Sequence, residues 1–297
     1  MQEIAPGIFV ENRYPPYNLG LITIADGGLV VDVPPRPTHA RQWLREVQEV
    51  TGPIRYVVLT DAQPDRLIGT ALWDVPIIAS ETTARYIAAL DEKAWPELLS
   101  SAQERFPAED LSPESLPLRR VTLACDRELR LHYSEPALKI EAIIGAALGS
   151  LWLTVPDQQV LFAGDSVVFR EPPLLDRTPD RQAWLESLAA LEKRAAIRWI
   201  VPGRGHVNAR RGDLEAQREF MRIAWHTAQT LAQETVAGTG LAQATRELRE
   251  AFFPTASKHS ETQLRIRHGL EQLVAEIRAA QEPEPVIGNQ DSSTVQN

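Results

Sequence analysis

Residues 19–33 read LGLITIADGGLVVDV, two short β-rich apolar runs separated by Asp26-Gly27-Gly28. An Asp-Gly pair placed between such runs is a hairpin signal. Runs of this kind recur along the chain. GIFV precedes the hairpin and PIRYVVLT and VPIIAS follow it; RRVTLA, RELRLHY, ALKIEAII, SLWLTVP and QQVLFAG then come in series, and IRWIVPG closes the pattern. Continuous apolar runs such as PIRYVVLT suit strands buried on both faces, whereas the alternating ones suit a sheet with one wet face. Helical patterns separate the runs. Ala40, Trp43, Leu44 and Val47 share a helical face, with Thr38 expected as N-cap and Gly52 past the end. Ser80 is expected to cap one helix running through residues 81–99, and the proline- and acid-rich stretch 105–119 reads as a surface loop. DRQAWLESLAALEKRAA and residues 213–237 and 261–281 are amphipathic helices. Two β-rich halves, each followed by helices, imply two packed sheets with helices outside.

The 297 residues are 43% hydrophobic and 24% charged, enough for a large core. A formal charge of -9 argues against nucleic acid or an anionic membrane surface as partner. The single cysteine, Cys125, excludes an internal disulfide framework and a multi-cysteine zinc site, and suits a small buried apolar position. The N-terminal residues MQEIAPGIFVENRYPP carry acid and proline where a signal peptide has basic and apolar residues. No run approaches the ~18 apolar residues of a spanning helix. A soluble, cytoplasmic protein is expected.

Chemistry-bearing residues gather at the ends of the apolar runs. TDAQPDRLIG follows YVVL, GAALGS precedes LWLTV, LFAGDSVVF follows a strand-like run, and VPGRGHV ends the last one. In this order, with GLVVDVPP before the first helix, the segments resemble the metallo-β-lactamase superfamily over roughly residues 4–212. The resemblance implies an α/β fold, the αββα four-layer sandwich, here with additional C-terminal helices. It also implies a hydrolase ancestry, with metal ligands on loops at one edge of the sheets. The expected organisation is a superfamily-like domain over residues 1–212, a helical extension over 213–281 packed on it, and a disordered tail over 282–297.

Carried over residue by residue, the family's HxHxDH motif falls on Asp61, Gln63, Asp65 and Arg66. The histidine of the family's GHTPGS-like turn falls on Ala146, the bridging aspartate on Asp165, and the histidine of its PGHG segment on Arg204. Only Asp65 and Asp165 keep the family residue. Catalytic zinc needs about three protein donors with lone pairs and an open position for water. Alanine has no donor atom, and arginine brings a fixed positive charge without a lone pair. No cofactor is therefore expected, and the two guanidiniums are expected to pair with Asp61, Asp65 and Asp165, because unpaired buried acids cost several kcal/mol. Asp65 has a second reading as a helix N-cap. Asp32, at the end of LVVD, is expected to support the loops from behind.

This reading makes the chain a catalytically degenerate member that works as a binding or structural module. Its cleft, lined by Arg66, Arg204, Asp61 and Gln63, would take an anionic or polar small molecule, or the surface would take a protein partner. The alternative is a hydrolase. One version holds a single divalent cation on Asp61, Asp65 and Asp165 with Gln63, since oxygen donors suit magnesium, calcium or manganese. Another uses His206 as base and Arg204 as oxyanion donor without metal. His39, His132, His226, His259 and His268 are scattered without ligand spacing. Ser166 lacks the GxSxG elbow, Trp73 and Trp152 read as core aromatics, and Trp225 with His226 as helix-face residues. The apolar face of Phe220, Ile223, Ala224 and Leu231 is expected to pack on the domain, with a homodimer contact as the other use of it.

Overall fold

The computed structural model describes residues 1–132, 136–207, 210–233, 239–256 and 260–281. His259 and the 282–297 tail lie outside the described residues. The first half forms a seven-stranded sheet in sequential order. Its strands are β1 (Gln2–Ala5), β2 (Ile8–Glu11), β3 (Leu19–Ile24), β4 (Gly27–Val31), β5 (Ile54–Val58), β6 (Ile77–Ser80) and β7 (Leu123–Cys125). β1 to β4 pair antiparallel, and β4 to β7 pair parallel through helical crossovers. The second half is a five-stranded sheet of β8 (Glu128–His132), β9 (Ala137–Ala142), β10 (Leu151–Val155), β11 (Val160–Phe169) and β12 (Trp199–Gly205). Its order is β12-β11-β10-β9-β8, parallel only between β11 and β12.

Side-chain alternation builds the layers. Leu29 and Val31 of β4 point into a core shared with Leu151, Leu153, Val160 and Phe162 of the second sheet, while Val30 between them joins a core under the first helices. Those helices are α1 (Pro37–Thr51), α2 (Pro64–Thr70), α3 (Glu81–Ala89) and α4 (Ala94–Gln103). On the far side, Trp152, Leu161, Ala163 and Ile200 pack against α5 (Arg181–Glu192), α6 (Arg211–Gln233), α7 (Thr239–Phe252) and α8 (Glu261–Gln281). The result is helices, sheet, sheet, helices. Trp43, Trp73, Trp152 and Trp184 are fully buried in these layers. Of the described helices, none is long and apolar enough to cross a membrane.

Three local expectations are corrected and one helix is added. Thr38 is not the cap of α1; Arg36 holds that position, and the Thr38 hydroxyl donates to Glu109. Ser80 does cap α3, accepting from the Thr83 amide at 3.0 Å, but the helix stops at Ala89 and α4 starts separately at Ala94. Residues 239–252 form α7, whose Ala244 and Leu248 are buried in the second helical layer at a one-turn spacing. Ile223 is 37% exposed, whereas Phe220, Ala224 and Leu231 face the core.

Candidate functional site

The strand ends converge on one edge. Asp32 follows β4 and Asp61 follows β5, and because these strands pair in parallel, with the Asp32 amide donating to Val58 at 2.9 Å, both acids arrive side by side. Asp32 adopts a left-handed φ of 59°, a conformation open to Asp at a cost of about 1 kcal/mol or more. Its carboxylate is fixed by the Thr60 amide at 2.9 Å and the Thr60 hydroxyl at 2.7 Å. Asp165 enters from the second sheet. The register of β11 on β12 shifts around Gly164, whose φ is 55°, and such a bulge re-aims the following side chain. Gly203 on β12 leaves room for it, since a Cβ there would lie 2.3 Å from the Asp165 Oδ1.

Arg66 sits among the three acids with no solvent exposure. Its Nη1 meets Asp32 Oδ2 at 2.6 Å, its Nε Asp61 Oδ1 at 2.8 Å and its Nη2 Asp165 Oδ1 at 3.0 Å. Arg204 donates from Nε to Asp165 Oδ2 at 2.9 Å. Gln63 ties the halves together, donating from Nε2 to Asp61 at 3.1 Å and to Asp165 at 2.8 Å. Its Oε1 accepts from Arg177 at 3.0 Å. The ring of Tyr17 lies 4.1 Å from the Arg66 guanidinium carbon and 4.6 Å from that of Arg204. Both guanidiniums thus contact the same ring, and both contact Asp165.

Charge in this cluster is unequal. Three carboxylates face two guanidiniums, and their surroundings shift them unequally. Burial pushes Asp32 up to about 6, with Arg66 pulling against it and Asp61 adding to it. Burial also opposes ionisation of Asp165, but Arg204 and Arg66 outweigh it and hold this carboxyl at about 2. Burial works against the charged Arg66 as well, yet the three acids keep it well above its ordinary value.

The sequence-predicted positions divide. Asp61, Gln63, Arg66, Asp165 and Arg204 come together; Asp65 does not. It follows Pro64 at the start of α2, so it and Arg66 are neighbours on a helix and point about 100° apart. Asp65 neither joins the cluster nor caps α2: Gln63 occupies the cap, and both Asp65 oxygens accept from Arg105 Nη2 at 2.9 Å. Asp32, placed behind the loops by sequence, touches Arg66 directly. Arg66 and Arg204, 0% and 7% exposed, are inside the protein and do not line an open cleft. Ala146 is buried in the 143–150 turn. His206 is exposed and meets Phe169 edge-on at 5.7 Å, with no hydrogen bond to Arg204 or Asp165; the base and oxyanion donor are not assembled. Ser166 accepts from Trp152 Nε1 and donates to the Ala163 carbonyl, so its hydroxyl is committed. Cys125 is buried. No sequence signal pointed to Tyr17, Arg105 or Arg177.

The profile of the metallo-beta-lactamase superfamily matches residues 15–204. The chain belongs to this superfamily. Similar solved structures include a beta-lactamase domain protein from Burkholderia ambifaria, at 16% identity over 94% of this chain and 88% of that one, with a TM-score of 0.59. A metallo-beta-lactamase family protein from Thermus thermophilus matches at 18% identity over 94% and 95%, with a TM-score of 0.63. A double mutant of the sec-alkyl sulfatase PisA1 matches at 15% over 93% of this chain, which spans 49% of that enzyme, with a TM-score of 0.64. No curated protein matches the chain. The first two matches run through the C-terminal helices as well as the sandwich.

Superfamily membership raises the question of a metal, and the residues do not fit one. Every oxygen of Asp61 and Asp165 accepts from an N–H of Arg66, Arg204 or Gln63. A dication about 4 Å from one guanidinium would meet on the order of 8 kcal/mol of repulsion at an effective dielectric near 20. Among the described residues no group of three His, Cys, Asp or Glu side chains is arranged to hold a metal ion.

Proposed function

We propose that this superfamily member is catalytically silent at the inherited metal position and acts as a binding or structural module. One observation carries the reading: the Arg66 guanidinium spans Asp32, Asp61 and Asp165 at 2.6 to 3.0 Å. This planar cation does there what a metal pair would do for the fold, drawing carboxylates from both sheets together: Nε and Nη2 hydrogen-bond Asp61 and Asp165, while Nη1 meets Asp32 by charge alone. It supplies no open coordination position and no activated water. The Arg204 and Tyr17 contacts support the same reading, because they close the cluster from outside. The single-cation hydrolase loses one of its three carboxylate donors, since Asp65 is engaged by Arg105.

The test uses full-length protein purified without chelator, with metal content and turnover of ester and phosphodiester probes measured before and after EDTA. The expected result is no stoichiometric metal and no chelator-sensitive turnover. Bound metal that leaves together with an activity would overturn the proposal.

A further inference from the structure

Outside the ion cluster, a cavity of about 460 Å³ opens between α2, α3 and α4 and reaches the 170–180 loop. This size is within the range of small-molecule pockets. One wall is apolar, formed by Ile68, Tyr86, Leu90 and Leu98. Ile68 is fully buried, and the other three are packed against the core with part of their surface open to the cavity. The rim carries two arginines, Arg105 and Arg177, whose side chains are 51% and 46% exposed.

These arginines differ from the pair inside. Arg105 gives Nη2 to Asp65 and lies 5.0 Å from the Phe106 ring centroid, with its side chain half exposed. Arg177 gives Nη1 to the neutral Gln63 Oε1 at 3.0 Å, and its carboxylate neighbour Asp176 is 3.6 Å away. Asp65 also lines the cavity, but Arg105 covers both of its oxygens; Glu97 lies at the open, solvated side.

We propose that this cavity binds a small amphipathic anion, its carboxylate held by Arg177 and Arg105 and its hydrocarbon part laid on Tyr86, Leu90 and Leu98. Arginine forks favour planar anions such as carboxylate, and the apolar wall favours a short alkyl chain. The proposal gives the silent module its ligand class and moves anion recognition from the buried Arg66 and Arg204 to the rim. It rests on the reading that the protein itself fills the metal position. Because Arg177 also holds Gln63, a bound carboxylate would compete for the guanidinium that braces the cluster, so occupancy is felt at Gln63 and Asp165.

Calorimetric titration of octanoate into the full chain tests this, with 1-octanol and octyltrimethylammonium as matched probes. The expected result is one octanoate per chain, bound at least about tenfold tighter than either probe, and weakened about tenfold or more by Arg177→Gln and by Arg105→Gln. Both arginines are half exposed, so the variants fold, and thermal melting checks this. Octanoate bound no tighter than octanol, or equally well by both variants, would overturn the proposal. The metal analysis above is independent of this titration. A metal-free protein that ignores octanoate leaves the silent site standing without this ligand, and a metal-loaded one that binds octanoate does the reverse.

Discussion

Replacing Arg66 with methionine keeps most of the side-chain volume and removes the charge. In the native cluster Arg66 meets Asp32, Asp61 and Asp165, all buried, and Arg204 reaches Asp165 alone. The variant therefore strands two carboxylates without a guanidinium. Breaking one buried pair costs about 3–5 kcal/mol, and stranding two acids places Arg66→Met at or above the upper end. At about 2–4 °C per kcal/mol for a chain of this size class, the midpoint falls by roughly 10–20 °C. The pH dependence gives the effect a sign of its own. In the native protein Asp165, held at about 2, contributes stability that is present above its ordinary value of 3.8 and is lost as pH falls through 2. Without Arg66, the main influence opposing burial at Asp32 is gone, so the contribution of that acid is present at low pH and lost as pH rises. The deficit of the variant should shrink by several kcal/mol between about pH 7 and pH 4. Urea unfolding followed by tryptophan fluorescence at both pH values measures it. A variant within about 0.5 kcal/mol of the native protein at pH 7, or an equal deficit at both pH values, would refute the reasoning.

Other outcomes follow from the same geometry. Arg204→Ala should cost less than Arg66→Met, about 2–3 kcal/mol by urea unfolding, because it breaks one ion contact and leaves Asp165 with Arg66. Asp32, raised to about 6, contributes stability that is present below 3.8 and lost as pH rises through 6. Native protein should thus lose on the order of 2 kcal/mol relative to Asp32→Asn between about pH 4 and pH 7, and parallel stability curves would contradict this. Tyr17→Phe should leave the melting midpoint unchanged or raised, since the buried hydroxyl has no hydrogen-bond partner. Tyr17→Leu, which removes the π face under both guanidiniums, should cost about 1–3 kcal/mol.

What the sequence made legible is the order of strands and the exchange of donor atoms for guanidinium groups. Apolar runs such as YVVLT and VPIIAS are pure enough to be read as buried strands, and the substitutions at residues 61, 63, 66, 146 and 204 need no coordinates. Which acids meet Arg66 is a different matter. Asp32 is 34 positions away and reaches it only because β4 and β5 pair in parallel and its backbone turns left-handed. The exclusion of Asp65 was available in principle: after a helix-starting proline, adjacent residues cannot both face inward. Leu241, Ala244 and Leu248 likewise carried the spacing of α7 in plain view. Tyr17, Arg105 and Arg177 are brought to the site by loops and by helix packing, for which no periodicity speaks.

The central claim is that a guanidinium stands where this fold would otherwise gather metal. A crystal soaked in zinc and measured on both sides of the zinc absorption edge tests it directly. The account predicts no anomalous peak between Asp61 and Asp165, with Arg66 still in contact with both. A strong peak at that position, with Arg66 and Arg204 swung away from Asp165, would contradict it.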